Sequence, residues 1–535
     1  MDIVSSSGES GFYRNEGKWK GILAWLMSTD HKRIGIMYLG ALLLFFWVGV
    51  ILGLLVRLNL IAPGKFMDAH TYNQIFTTHG IVMIFLFIIP GAPVAFGNFF
   101  LPIMLGARDV AFPRINRLSW WLYLAGVGII LVALFSGGGP PDTGWTFYAP
   151  YSFQTETNVA IAVFGVFLLG FSSILTGLNF VVTIHRLRAP GMTWFRMPIF
   201  VWTLYATGWV QMLATPVLAI TLILIIFGRV FGIDFFDPAH GGDPIMYEHL
   251  FWTYSHPAVY IMILPAMGII SEVIPVFTKR WLFGYKAVAL SSVAIAGVGY
   301  LVWGHHMFTS GMSDTARVIF SLITFLVAVP SGIKVFNWVS TMYRGSIDLK
   351  APFLFALGFL FLFSLGGLTG LIIGAIIPNL HVHGTYFIVA HFHYVMFGGA
   401  GFAVLAGLHY WFPKMFGRMY REKPAVIGWA ILFVGFNLLF FPMFILGYDG
   451  MPRRYFDYPE RYFNGNLLST IGSWVLFLGL TIIFANLILA LFRGERATAN
   501  PWGGKSFEWQ IPSPPPAENF RETPVYKEHG SRWEE

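Results

Sequence analysis

The chain of 535 residues contains no cysteine. That absence excludes disulfide bonds, thiolate metal sites, iron–sulfur clusters and haem attachment through a Cys-x-x-Cys-His segment. Any such chemistry must come from a partner. Charge is also scarce. Only 11% of residues are Asp, Glu, Lys or Arg, against about 25% in soluble domains. A bilayer accounts for the deficit, because ionisable side chains are costly in hydrocarbon and stay at interfaces or along functional paths. No apolar signal core opens the chain. Its first 20 residues are polar, with Glu9, Arg14, Glu16 and Lys18, so a cleaved secretory peptide is not expected. The net charge of +8 comes from basic residues in short loops and not from a continuous patch, which argues against a nucleic-acid partner.

What the chain does have is apolar length: 56% of residues are hydrophobic. Stretches able to cross about 30 Å of hydrocarbon recur twelve times. They run Ile34–Val56, Gln74–Met104, Leu118–Phe135, Val159–His185, Pro198–Phe227, Leu250–Ile274, Ala287–Phe308, Val318–Ser340, Pro352–Ile377, Thr385–Trp411, Ala425–Leu446 and Leu468–Leu491. The fold expected is an all-α integral membrane bundle of twelve transmembrane helices in contact with lipid. Its parts are an N-terminal segment 1–33, a catalytic bundle 34–493 and a polar, Pro-rich surface tail 494–535 (Ile511-Pro-Ser-Pro-Pro-Pro516). An even number of spans puts both termini on one side. Fifteen Lys and Arg residues, from Arg108 to Lys423, fall in the loops on the terminal side. Beyond Arg57 at the very edge of the first span, six fall opposite: Lys65, Arg229, Arg317, Arg453, Arg454 and Arg461. The positive-inside rule then makes both termini cytoplasmic.

Six of the histidines inside these spans, His79, His256, His305, His306, His391 and His393, lie toward the outer ends of their helices. With the stated orientation they share a layer about 5–12 Å below the outer surface at 1.5 Å per residue. One intramembrane histidine is commonly an interhelical hydrogen bond. Six at one depth, from four helices, point to metal and haem, for which imidazole is a common ligand. His391 and His393 are two residues apart and face opposite sides of one helix, so one helix can serve two haems. His256 and Tyr260 share a face. His305 and His306 are about 100° apart on an ideal helix and reach one metal only if the helix adjusts locally.

These segments resemble the catalytic subunit I of haem–copper oxidases, most closely the cytochrome c oxidase type. The resemblance rests on Ser28-Thr-Asp-His-Lys32, Thr78-His-Gly80, Phe112-Pro-Arg114, His256-Pro257, Trp303-Gly-His-His-Met-Phe308, Val389-Ala-His-Phe-His-Tyr394 and Met451-Pro-Arg-Arg-Tyr455. It implies that His79 and His393 are axial ligands of a low-spin haem and His391 the proximal ligand of a high-spin haem. His256, His305 and His306 would bind copper B. Tyr260 would be linked to His256 and supply an electron and a proton. Arg453 and Arg454 would pair with haem propionates. Arg57 matches the arginine that bonds the formyl group of haem A, or else is an interfacial anchor. The resemblance further implies a subunit II with the dinuclear copper site, a subunit III, a cytochrome c donor and a bacterial cytoplasmic (inner) membrane.

Protons need polar routes from the cytoplasm. The resemblance makes Lys334 the centre of one, through Ser271 and Ser331 to Tyr260; snorkelling is the ordinary alternative. Asp109 resembles the mouth of the second, with Asn98, Asn116, Ser172, Ser173 and Asn179 along it. Two departures stand out. Where relatives carry a proton-gating glutamate two residues after His256, this chain has Ala258. It resembles instead a subgroup in which a Tyr-Ser pair, here Tyr254 and Ser255, precedes the histidine. A phenol of pKa about 10 cannot replace a carboxyl of about 4.3 as a charge store, so a hydrogen-bonded relay is expected. His383 is followed by Gly384 instead of aspartate, which removes a hard oxygen ligand from a possible magnesium site. The reaction expected is dioxygen reduction to water coupled to proton translocation. A quinol-fed oxidase is the near alternative. Nitric oxide reductases lack the equivalents of Tyr260 and Lys334. A twelve-span secondary transporter fits the hydropathy but gives the histidine layer no purpose.

Overall fold

The computed structural model describes residues 11–13, 18–64 and 66–526. Glu9, Arg14, Glu16 and Lys65 lie outside the described residues. The described chain is almost wholly helical, and eleven helices are long and apolar enough to cross a membrane. In chain order they are α1 (His31–Asn59), α2 (Ala69–Leu105), α3 (Pro113–Phe135), α4 (Val159–Arg186), α5 (Ile199–Phe231) and α6 (Pro244–Thr278). A shorter apolar helix, α7 (Tyr285–Gly299), comes next. It is followed by α8 (Asp314–Met342), α9 (Ala351–Gly374), α10 (Tyr386–Phe416), α11 (Glu422–Tyr448) and α12 (Glu460–Arg493). Every expected span is matched, and the seventh is the exception in length.

Local chemistry sets the ends. Asp30, Asp68 and Asp243 cap α1, α2 and α6 by accepting from the backbone N–H groups of Lys32, Thr71 and Ile245, which satisfies donors the helix leaves free. Those caps start α2 and α6 several residues before their apolar runs. The seventh span, expected to reach Phe308 as one helix, stops at Gly299 and resumes as a 3-10 turn over Trp303–Met307. The ring of Tyr260 lies where a Cβ on Gly299 would sit, 2.3 Å away, so only glycine fits this approach. Two helices also carry wide turns. Residues Val82–Ile88 and Gly91–Phe96, which flank Pro90, and Met396–Gly401 are π-helical. Such turns favour functional sites, and two of them begin three residues after His79 and His393.

Packing is close wherever glycines line a contact. A Cβ on Gly435 of α11 or Gly472 of α12 would fall 2.3 Å from a backbone nitrogen of the other helix, the small-residue contact that membrane helices use in place of a hydrophobic drive. Large apolar side chains such as Leu44, Ile51, Val132 and Ile220 are exposed on the outer faces, as hydrocarbon contact requires. The tail is more closely packed than its composition suggests. Trp502, Phe507, Trp509 and Ile511 are buried. Lys414 Nζ donates to the carbonyls of Ala499, Ile511 and Pro512. An extended Pro-rich strand leaves its carbonyls without intrachain donors, and a buried ammonium takes them up.

Candidate redox metal centre

α6 and the 3-10 turn after α7 bring three imidazoles together. His256, His305 and His306 offer ligand nitrogens that lie within 4.8 Å of one another. His256 Nδ1 is 3.0 Å from His306 Nε2, and the His256 and His305 rings are perpendicular with centroids 4.5 Å apart. The 3-10 turn supplies the local adjustment that two adjacent histidines require, since its tighter winding differs from the 100° step of an α-helix. Supporting contacts fix each ring. Trp252 stacks on His306 with centroids 3.8 Å apart, and Thr324 Oγ1 is 3.0 Å from His305 Nδ1. His256 Nε2 faces the Tyr260 hydroxyl at 2.9 Å, which leaves Nδ1 as its nitrogen for the cluster.

His391 and His393 project from opposite faces of α10. His391 lies against α9, where its Nδ1 donates to Gly366 O (3.0 Å) and Thr369 Oγ1 is also in reach. His393 stacks on Phe440 of α11, and its Nδ1 donates to Val389 O at 2.8 Å. His79 on α2 donates through Nδ1 to Gly49 O of α1 at 2.8 Å. Each of the three thus has Nδ1 tied to a main-chain carbonyl and Nε2 unencumbered, the arrangement in which a second partner orients a ligating imidazole. His79 and His393 lie within electrostatic reach of each other, as do His391 and His305.

The flanking cations also want anions. Arg57 is buried and not at an interface. Its Nη2 donates to Asn466 and Thr470, while Nε and Nη1 have no protein partner. Arg453 and Arg454 lie side by side and form no ion pair among the described residues. Burial pulls both below the usual guanidinium range, Arg454 to about 10. His383, also outside the spans, is lowered to about 4 by burial and then by Arg453. Its Nδ1 is 3.1 Å from Asn379 Oδ1.

The side chains along the two polar routes make few direct contacts with one another. Lys334 is fully buried and does not snorkel. Its Nζ donates to Ser292 Oγ (2.8 Å) and Val288 O (3.0 Å) on α7, and not directly to Ser271 or Ser331. Ser271 instead accepts from Trp338 Nε1, and Ser331 bonds back to Val327 O. A lysine within a bilayer costs about 3 kcal/mol, so hydrogen bonds at both Ser292 and Val288 matter. On the other route, Asn98 Oδ1, both amide atoms of Asn116, and Ser173 Oγ are buried without a protein partner. Asn179 is spent on the backbone of Phe112. Ser172 reaches Tyr38, and both line a cavity of about 30 Å³ with Ser173 and Tyr254, room enough for water. Ser255 Oγ is also buried without a partner.

Sequence reasoning missed Tyr38, Ser119 and Ser292, although polar groups in apolar helices were a usable signal. It also left out His409, a further buried histidine in α10. His409 packs against Phe355 and Tyr420, with Nδ1 donating to Leu405 O and Nε2 buried without a protein partner.

A three-histidine cluster that could hold a metal, set in a helical membrane bundle, fits a redox metalloprotein of the haem–copper class. Residues 33–492 match the family described as cytochrome c and quinol oxidase polypeptide I, and the chain belongs to that family. Cytochrome c oxidase subunit 1 of Thermostichus vulcanus is 45% identical over 509 residues, covering 95% of this chain and 92% of that protein. The same subunit of Cereibacter sphaeroides is 42% identical over 536 residues, with 94% and 95% covered. A haem–copper terminal oxidase solved as a dimer shares the fold, with a TM-score of 0.76 at 20% identity, covering 88% and 86% of the two chains. The chain is accordingly the catalytic subunit I of a terminal oxidase, an oxidoreductase that uses haem and copper.

Asp109, in the loop after α2, is held above the usual carboxylate range at about 7, chiefly by burial. It is therefore neutral below that value and charged above it. Infrared titration of the purified protein should show a carboxyl band fading as pH rises through about 7 and missing in Asp109→Asn.

Proposed function

We propose that this subunit reduces dioxygen to water with electrons from a cytochrome c and moves protons outward as it does so. The observation that carries the reading is the His256–His305–His306 cluster, with Tyr260 hydroxyl 2.9 Å from His256 Nε2. A subunit II must bring the dinuclear copper site, since this chain has no thiol, and subunit III is a further partner. The bacterial relatives and the positive-inside pattern support a cytoplasmic membrane with both termini inside.

The donor set fits its groups. The free Nε2 atoms of His79 and His393 suit the two sides of a low-spin haem, and that of His391 suits a high-spin haem. His256, through Nδ1, with His305 and His306 suits copper B. Arg57, with two unpartnered nitrogens, fits a formyl oxygen and so haem A. Arg453 and Arg454 fit propionates. Magnesium does not fit: Gly384 brings no side-chain oxygen, its carbonyl accepts from Arg453 N–H, and Asn379 already engages His383. When bound, the haems and copper supply electron transfer to dioxygen.

The chain's own residues handle protons and exclude water. Tyr260 is buried beside His256 and can pass its hydroxyl proton directly into the cluster. Lys334 and Ser292 hold a polar step below it. Asp109 takes protons at the surface, and Asn98, Asn116, Ser172 and Ser173 order a file toward Tyr254. With alanine at position 258, the Tyr254 hydroxyl and the cavity it lines carry the last step by hydrogen bonding and not by charge storage.

Three outcomes check this. His391→Ala should abolish dioxygen reduction and retain the low-spin haem spectrum; loss of both signals would sink the two-face assignment. The purified complex should turn over ascorbate-reduced cytochrome c, and turnover of quinol alone would replace the donor. Tyr254→Phe combined with Ser255→Ala should lower protons pumped per electron, and an unchanged ratio would remove the relay.

A further inference from the structure

The tail and the Asp109 loop meet at one side chain. Asn519 is 1% exposed, and its backbone is left-handed with φ of 59°. Its Nδ2 shares its two N–H groups among His31 Nε2 (2.9 Å), Ala107 O (2.9 Å) and Arg108 O (3.1 Å). Its Oδ1 accepts from Lys32 Nζ at 2.8 Å. Lys32 also donates to Ala517 O and pairs with Asp30. A donor at Nε2 makes Nδ1 the protonated nitrogen of His31, and Nδ1 donates to Asn98 O at 2.7 Å. One carboxamide therefore joins the start of α1, the two carbonyls just before Asp109, and the main chain of Asn98. Such connected buried networks hold geometry strongly when every member is satisfied.

We propose that Asn519 is a positioning residue for proton uptake, holding the loop 106–112 and the His31 ring so that Asp109 stays sheltered at the mouth of its route. This rests on reading Asp109 as that mouth. The groups that face Asp109 are Asp30, Lys32, the backbone N–H of His31 and that of Val110. Its neutral form near pH 7 depends on burial. Once the loop is released from the tail, water reaches the carboxyl, which returns toward the ordinary value near 4. A permanently charged aspartate then passes protons on less readily, because it no longer alternates between its two forms near neutral pH.

The test uses the full complex with Asn519→Gly, which tolerates the left-handed backbone and deletes the carboxamide. Asn519→Ala deletes the same group without glycine's added backbone freedom. Haem spectra check loading, infrared titration reads the Asp109 carboxyl, and turnover is followed against pH. The expected result is a normal haem spectrum, a carboxyl midpoint moved from about 7 toward 4, and uptake slowed several-fold. In an Asp109→Asn background, Asn519→Gly should add nothing. An unmoved midpoint, additive losses in the double variant, or failure of both variants to load haem would each overturn the positioning role. If Asp109→Asn alone leaves uptake intact, the reading of Asp109 as the mouth falls, while the midpoint still decides the role of Asn519.

Discussion

In the core of a bilayer a polar atom has no water to turn to, and the main-chain carbonyls of the helices are the acceptors within reach. His79, His391 and His393 use them in the same way. Each gives Nδ1–H to a carbonyl, at Gly49, Gly366 or Val389, and so presents Nε2 outward with the ring angle set. A ligand held by packing alone could turn about its side-chain torsions. One held by a carbonyl of a packed helix moves only if the helix moves. The histidine layer thus inherits its rigidity from the bundle.

The bundle in turn bends to serve that layer. α7 ends early at Gly299, where the Tyr260 ring takes the place of a side chain, and the 3-10 turn that follows points His305 and His306 into one cluster. The wide turns after His79 and His393 belong to the same adjustment. Below the layer, polar atoms without protein partners collect where protons would travel, at Asn98, Asn116 and Ser173. Their burial costs free energy unless water or a transient proton carrier satisfies them. A purely structural bundle would have replaced them with apolar side chains.

The tail shows how one end of the molecule is closed. Lys414, Lys32 and His31 all find partners in residues 499–519. The two buried ammonium groups are thereby satisfied by backbone carbonyls of a segment far away in sequence, and the neutral His31 ring by the Asn519 side chain. The segment looked like solvent-exposed linker because its composition is polar and Pro-rich. Its carbonyls, which composition does not display, decide where it lies.

Spans, histidine clustering and the opposite faces of His391 and His393 were legible in the sequence because they follow from periodicity and helical rise, which are local. The need for a distortion at His305 and His306 was legible too, from their angular separation, but its form was not. The path from Lys334 through Ser271 and Ser331 came from the family resemblance, and the structure adds Ser292 of a neighbouring helix as the direct partner of Lys334. Asn179, taken as part of a water file, turns to the backbone of Phe112. Both differences concern contacts between helices, set by how two surfaces dock and not by the pattern along either one. The sequence by itself determined the number of crossings and the residue types available at each depth. Only the tertiary structure decided which nitrogen of each imidazole is tied down, which lysine contacts exist and where the tail docks, because those depend on carbonyls that every residue carries alike.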